Sequence, residues 1–344
     1  MREARRSLAQ TLNCHPLELV FTSGGSEANN LAVQGCLKGL LRTQPQRKKV
    51  LLGSIEHPSV LKQALAIENL GFEVITIPVD QNGNYDLEFY KQNLSEQVAL
   101  CSVMLANNEL GVIAPISEMV QMAHSVGAKF HSDLVQALGK FPFSLSELGV
   151  DLASFSSHKV YALKGAGLLY VKKGTPLDSL FFGGAQERYR RAGTENLMAI
   201  ASFAMMADLL KPEKFVEQVT PLRDRFEELI AESIPGLHVL CQSNQRLANT
   251  SSFMVNGVSG ESLLMNLDIR GFSVGTGAAC SSGNPEPSPV LLSIGLSHEQ
   301  AQSSLRVSLG VHTTLEQVED LAKNLEEVVG YLRKLSEEEA YVQV

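Results

Sequence analysis

Short apolar runs alternate with amphipathic stretches through the first two-thirds of the chain. "LELVFTS" leads into "SEANNLAVQGCLKGLL", and "KKVLLGS" into "PSVLKQALAIENL". "FEVITIPV" follows, then "QVALCSVMLA" into "ISEMVQMAHSVG", and then "AKFHSD" and "LASFSS". Runs of this length, bounded by turn residues, read as strands; the stretches between them carry helical spacing. Strands that alternate with helices predict an α/β fold, its sheet mostly parallel and covered on both faces.

The pattern changes near "LLKPEKF". After it come a long charged helix over Pro212–Ile234, an alternating strand "NTSSFMVNG", a helix "GESLLMNLDI", a small-residue loop with a cysteine, "LRVSLG" and a closing acidic helix. That order predicts a smaller α+β domain. The expected division is residues 1–210, a ligand-binding large domain, and residues 211–344, a small domain carrying the cysteine loop; the boundary falls within 205–215. At the start, "MREARRSLAQTLN" has Leu8 and Leu12 four apart, the spacing of a surface helix. Its arginines also suit a mitochondrial transit peptide, against which Glu3 speaks.

Composition narrows the function classes. The chain has 344 residues, 44% of them hydrophobic, enough for one large or two modest cores. A net charge of −8 argues against a sequence-independent nucleic-acid binder. No apolar run is long enough to span a bilayer. The 5 cysteines are Cys14, Cys36, Cys101, Cys241 and Cys280, an odd number without a CxxC pair. That suits reduced thiols in the cytoplasm rather than a disulfide frame. Cys280 stands apart, set in "VGTGAACSSGNPEPSP" among small residues that leave a sulfur uncovered and mobile.

Three stretches carry candidate chemistry. In "FTSGGSEANN" a strand ends and a helix begins at Gly25 and Ser26, a helix start with spare N–H groups that suits a phosphate, or merely a Ser-capped helix. It is not a P-loop, because the GK[ST] ending is absent. "HSDLVQALGK" puts Asp133 and Gln136 at a strand end, where open α/β sheets bind ligands. Asp133 there is either a helix cap or a carboxylate for a ring nitrogen. "SFSSHKVYALKGAGLLY" delivers Ser156, Ser157, His158 and Lys159 to the same edge. Pyridoxal phosphate would use all three: a phosphate cradle, an aspartate for the pyridine nitrogen and a lysine amine.

With these motifs together, the chain resembles the class V aminotransferases, fold-type I pyridoxal-phosphate enzymes, and among them the cysteine desulfurases of iron–sulfur cluster assembly. The resemblance runs from about Arg5 to about Leu325 and rests also on "EHPSV", "NNELGVIAPI", "GGAQERYRRAGTEN", "GTGAACSSGNPEPSPVLLSIGLS" and "LRVSLG". It implies that Lys159 attaches the cofactor and moves protons, Asp133 pairs with the ring nitrogen and Gln136 donates to the ring hydroxyl. His57 would stack on the ring as an acid/base, and Gly25, Ser26, Ser156 and His158 would cradle the phosphate, with Ser157 adding backbone. Thr194 would reach the phosphate of a second subunit in a homodimer. Asn107 and Arg306 would hold the carboxylate of L-cysteine, and Cys280 would take its sulfur as a persulfide. A sulfur-acceptor or iron–sulfur scaffold protein would receive that sulfur, with Cys280 able to ligate a shared cluster transiently; no resident metal is implied.

Plainer roles exist for each. His57 precedes a proline and suits a turn; His124 and His131 read as helix and strand residues without a role. Arg306 suits an acidic neighbour, and "RYRRAG" a solvated basic turn. The family also carries an upstream segment, with an "LDxAATTP"-like strand, that this sequence lacks. That difference suggests either a chain start placed too far downstream or a shortened, inactive paralogue acting as an interaction protein; a separate reading among the enzymes is selenocysteine lyase or another class V lyase or aminotransferase.

Overall fold

Residues 1–276 and 287–342 are described by the structure, a computed structural model, with side chains through Ser336. The chain forms two compact units. The first comprises Met1–Pro78, Tyr85–Asn107 and Ala114–Pro212; the second comprises Val79–Asn84, Asn108–Ile113 and Glu213–Val344. The two short inserts of the second unit lie inside the stretch that the apolar pattern assigns to the large domain.

In the first unit the elements run α1 (Arg2–Thr11), β1 (Leu19–Thr22), α2 (Gly25–Asn30), α3 (Cys36–Thr43), β2 (Lys49–Gly53), α4 (Pro58–Leu61), α5 (Ala64–Asn69) and β3 (Glu73–Ile77). They continue with α6 (Leu87–Asn93), β4 (Val98–Ser102), α7 (Ile116–Ser125), β5 (Lys129–Asp133), α8 (Leu145–Leu148), β6 (Leu152–Ser156), β7 (Gly167–Val171) and α9 (Leu197–Ala207). Helices α2 and α3 join through a π turn, Leu31–Gly35. The strands make one seven-stranded sheet in the order β1-β7-β6-β5-β4-β2-β3.

The sheet is mostly parallel, as the alternation predicts. Four pairings are parallel, and the two that involve β7 are antiparallel. The exception has a simple cause. Only Ser157–Ala166 connect β6 to β7, too few for the crossover that a parallel partner requires. That short turn is the one that holds His158 and Lys159. Because β1 pairs antiparallel with β7, it runs in the same direction as β5 and β6. Thr22, Asp133 and Ser156 therefore end their strands along one edge. The approach there is close: a Cβ on Gly167 would fall on the Gly24 carbonyl carbon and within 2.6 Å of Thr22 Oγ1.

Strands β1, β4, β6 and β7 are buried on both faces. Leu31, Leu37 and Leu40 pack over Val50, Leu52, Leu100, Leu152 and Leu169 to form the core. Leu8 and Leu12 of the first helical stretch are buried, so its apolar face is a packing face. Ser7 Oγ on α1 donates to Asp208 Oδ1 just beyond α9, at 2.6 Å.

The second unit contains α10 (Pro212–Ser233), β8 (Leu237–Val239), β9 (Thr250–Val255), α11 (Gly260–Ile269), α12 (Pro289–Ser293), α13 (His298–Gln302), β10 (Ser304–Ser308) and α14 (Leu315–Val342). Its antiparallel sheet has the order β10-β9-β8. Phe226 and Ile230 from α10, Leu263 and Leu267 from α11, and Leu321 and Leu325 from α14 cover Phe253, Val255, Leu305 and Val307 of the sheet. Inside, Arg246 meets Glu227 with both nitrogens, each at 2.8 Å. Two charges buried that deeply need such full pairing. No helix among the described residues is long and apolar enough to cross a membrane.

Candidate active site

At the carboxyl edge of the first unit's sheet lies a cleft of about 380 Å³, lined by Ser23, Gly24, Gly25, Ser26, Glu27, Ser156, His158 and Lys164. The chain enters α2 there with Gly24, not a serine, at the cap position. Leading N–H groups of a helix have no partner within it and suit an anion. Ser23 takes the capping role indirectly: its N–H and Oγ donate to Glu27 Oε2 at 2.8 and 2.5 Å. Arg191 then closes on Glu27, Nε to Oε1 at 2.7 Å and Nη2 to Oε2 at 3.1 Å. Burial opposes the charge on Glu27, but these bonds outweigh it and hold the carboxyl below its ordinary range.

On the far side of the cleft, Ser156 Oγ and His158 Nδ1 are 2.9 Å apart. Burial lowers the pKa of His158, and the charges of Lys159, Lys164 and Lys140 lower it further. The same three charges favour a phosphate at this spot. Ser157 points elsewhere. Its Oγ donates to the carbonyls of Leu163 and Ala166, and its N–H donates to Ala166 at 3.1 Å. It fixes the turn and does not line the cleft.

Asp133 closes β5 and is buried. Its Oδ2 accepts from Asn29 Nδ2 at 2.7 Å, and its Oδ1 accepts from the Val135 N–H at 2.9 Å. Burial raises its pKa, against the pull of those two bonds and of the charges on His57 and Lys159. So a carboxylate, an imidazole and an amine act on one another here. His57 caps α4: its Nδ1 accepts from the Ser59 N–H at 3.1 Å and lies 2.7 Å from Ser59 Oγ. Asn29 Nδ2 reaches the same Ser59 Oγ at 2.8 Å, linking His57 to Asp133. Burial lowers the pKa of His57, Asp133 opposes the shift and Lys159 adds to it. The neutral ring then carries its proton on Nε2.

The remaining expected residues fall as follows. Gln136 is half-buried and accepts from Lys140 Nζ at 2.7 Å. Asn107 is buried and donates to the Ile55 carbonyl at 2.8 Å, which holds the loop before His57. Thr194 is exposed. Arg306 lies on β10 in the second unit and does have an acidic neighbour, Glu109. Cys280 lies outside the described residues. Burial drives the thiols of Cys14, Cys36 and Cys101 up to about 12 and that of Cys241 to about 11. None of these four supplies a thiolate at neutral pH.

Sequence reasoning passed over Asn29, Glu27, Arg191 and Lys164. Nothing local marks Asn29, whose partner Asp133 is 104 residues away, and nothing local pairs Glu27 with Arg191. The donor set fits a phosphorylated pyridine aldehyde. The cleft provides glycine backbone, hydroxyls and cationic surroundings for the phosphate. Asp133, strained by burial, gains from a protonated ring nitrogen, and Lys159 offers an exposed amine.

The family profile described as Aminotransferase class-V matches residues 1–321. The chain is 39% identical to the cysteine desulfurase IscS of Dictyoglomus turgidum over 98% of its own length and 85% of that protein. It is 37% identical to the cysteine desulfurase NifS of Azotobacter vinelandii, over 98% of this chain and 83% of that one. Among solved structures, a NifS-like protein superposes with a TM-score of 0.87 at 32% identity, covering 96% of this chain and 87% of that chain.

Proposed function

The chain belongs to the class-V aminotransferase family, and from that premise we propose that it is a pyridoxal-phosphate-dependent cysteine desulfurase. It converts L-cysteine to L-alanine and leaves the sulfur as a persulfide on Cys280. The observation that carries this reading is the buried carboxylate of Asp133, with His57 and Lys159 acting on it.

Pyridoxal phosphate, when bound, supplies the electron sink that makes the α-carbon and the sulfur of an amino acid reactive. The residues around it do the rest. Gly25, Ser26, Ser156 and His158 hold the phosphate. Asp133 keeps a proton on the ring nitrogen, with Gln136 toward the ring hydroxyl. Lys159 anchors the cofactor and moves the α-proton. His57, with a proton on Nε2, stacks as a donor, while Asn107 and Arg306 orient the substrate carboxylate. Cys280, as thiolate, attacks the substrate sulfur: an S–S bond forms, the substrate C–S bond breaks, and its carbon takes a proton to give alanine. The four other thiols are held protonated by burial, which supports assigning the sulfur to Cys280.

The dimer of the proposed enzyme places Thr194 against a second copy. Phe182 is 89% exposed and Met198 77%, on either side of Thr194 in sequence, and both are apolar surface for such a partner to cover. The sulfur then passes to an acceptor, such as an iron–sulfur scaffold protein, in the cytoplasm, where thiols stay reduced.

The test is direct. Purified protein should be yellow and release alanine and, with a reductant, sulfide from L-cysteine. Lys159→Ala should lose the colour and the turnover together. Full turnover in that variant would end the proposal.

A further inference from the structure

Glu56 immediately precedes His57 and is 0% exposed. One of its carboxyl oxygens is engaged. Oε1 accepts from the Met104 N–H at 2.5 Å, and the Tyr85 hydroxyl donates to it more weakly at 3.4 Å. The other, Oε2, is buried and has no hydrogen-bond partner among the described residues. No cation among them pairs with Glu56 either. The packing is close: a Cβ on Gly53 would fall 2.4 Å from the Tyr85 hydroxyl and 2.9 Å from Glu56 Oε1.

Glu56 joins two segments that both carry candidate site residues. Residues 54–57 follow β2, and residues 103–107 follow β4. The Ile55 carbonyl accepts from Asn107 Nδ2 at 2.8 Å, a second link beside the bond from Met104 to Glu56. The segment after β4 is itself tied to Asp133, whose carbonyl accepts from the Leu105 N–H at 3.1 Å. The backbone that carries His57 is therefore held to the backbone of Asp133 through Glu56. This route is separate from the side-chain link through Asn29 and Ser59.

An ionised carboxylate here would leave one oxygen and a full negative charge uncompensated, which costs heavily in a buried place. Burial raises the Glu56 pKa well above its ordinary range; the Met104 bond opposes that shift, the charge of Asp133 adds to it and the Tyr85 bond opposes it. A neutral acid still offers a carbonyl oxygen to an N–H. A second anion would also raise the pKa of Asp133, because like charges disfavour each other's ionised forms. We propose that Glu56 is a positioning residue for His57 and acts as a neutral carboxylic acid, fixing the segment that carries His57 to the segment after β4 without adding a negative charge beside Asp133. The role rests on the reading of His57 as the ring-stacking group.

The protonation state is read from the protein itself. Infrared difference spectra of wild type against Glu56→Gln at pH 7 should contain a carboxylic-acid carbonyl band, sensitive to deuterium, that the variant lacks. A carboxylate band in its place overturns the neutral form. The positioning is read from holoenzyme, by kcat and by the visible band of the bound cofactor. Glu56→Gln keeps an uncharged acceptor for the Met104 N–H, so kcat should stay within about threefold and the band should not move. Glu56→Leu leaves that N–H buried and unpaired, so kcat should fall about tenfold and the band should shift. Glu56→Asp, gentler on the fold, withdraws the acceptor by one methylene and should lose about threefold in kcat with the same kind of shift. A Gln variant as impaired as Glu56→Leu or Glu56→Asp overturns the proposal. His57→Ala separates the two layers. Wild-type kcat and band there end the reading of His57, and the role of Glu56 with it; a change there that neither Glu56→Leu nor Glu56→Asp reproduces ends the positioning role alone.

Discussion

Asn29 Nδ2 stands 2.7 Å from Asp133 Oδ2 and 2.8 Å from Ser59 Oγ, so one amide joins the carboxylate at the end of β5 to the serine beneath His57. Burial already raises the Asp133 pKa. Asn29→Ala would remove the largest opposing contribution and raise it further, so less of the carboxylate would be ionised to keep a ring nitrogen protonated. Turnover should fall about tenfold to a hundredfold, the range for a hydrogen bond to a buried charge. The measurement is kcat alongside cofactor content in purified protein. Wild-type values for both would remove Asn29 from the site.

The ion pair of Glu27 and Arg191 makes a separable prediction. Glu27 lines the cleft that suits a phosphate, where a bare carboxylate would repel it. Arg191 cancels that charge with two bonds. Arg191→Met should therefore weaken cofactor retention, about tenfold in the dissociation constant measured by fluorescence after dialysis. Adding Glu27→Gln should restore most of the loss, because the charge that Arg191 offsets is then gone. A double variant no better than Arg191→Met would show that the arginine acts in some other way.

His131 predicts a pH dependence of stability. It is fully buried, with Ser102 Oγ 2.7 Å from Nδ1 and Ser154 Oγ 2.9 Å from Nε2. Hydroxyls can donate or accept, so the pair satisfies a neutral ring. Burial lowers its pKa from 6.5 to about 3. The unfolded chain therefore binds a proton near pH 6.5 that the folded chain refuses. The stability from this residue is present above pH 6.5 and is lost as pH falls from there toward 3, by at most about 1.4 kcal/mol per unit. Melting temperature should drop between pH 6.5 and 5 in the wild type. In His131→Gln the drop should be shallower, even if that variant melts lower at pH 8. Equal slopes would mean that other groups set the acid limit.

The order of strands and helices was legible because buried parallel strands are nearly continuous apolar runs, as in "QVALCSVMLA" and "LASFSS". The strand-end residues Asp133 and Ser156 could be placed for the same reason. What stayed hidden depends on distant partners. "DQNGN" reads as a local turn, yet Val79–Asn84 joins the second unit, where Asn244 Nδ2 donates to the Asn82 carbonyl at 3.0 Å. His131 appeared to be a strand residue without a role because no local pattern announces hydroxyls on both neighbouring strands. "RYRRAG" read as a solvated basic turn because its anchors, Glu27 and the carbonyls of Leu17 and Leu19, lie more than 160 residues away.

That turn supports one more prediction. Glu187, Arg188 and Tyr189 all have positive φ, at 45°, 58° and 63°. Left-handed backbone costs a non-glycine residue on the order of 1 kcal/mol each, and it persists only where the surroundings impose it. Glu187 supplies that constraint. Its buried carboxylate takes Arg5 Nη2 at 2.5 Å on one oxygen and the Phe21 N–H at 2.9 Å on the other. Arg188 and Tyr189 carry no comparable buried anchor in their side chains, since both are exposed. Glu187→Ala should destabilise by about 3 kcal/mol or more, leaving a mostly buried guanidinium and a buried N–H without their partner. Arg188→Gly, which relieves the backbone at a small entropic loss, should be neutral or stabilise by up to about 1 kcal/mol. Urea denaturation of the two variants checks this, and an order reversed between them would show that the Arg188 side chain, rather than the Glu187 carboxylate, holds the turn.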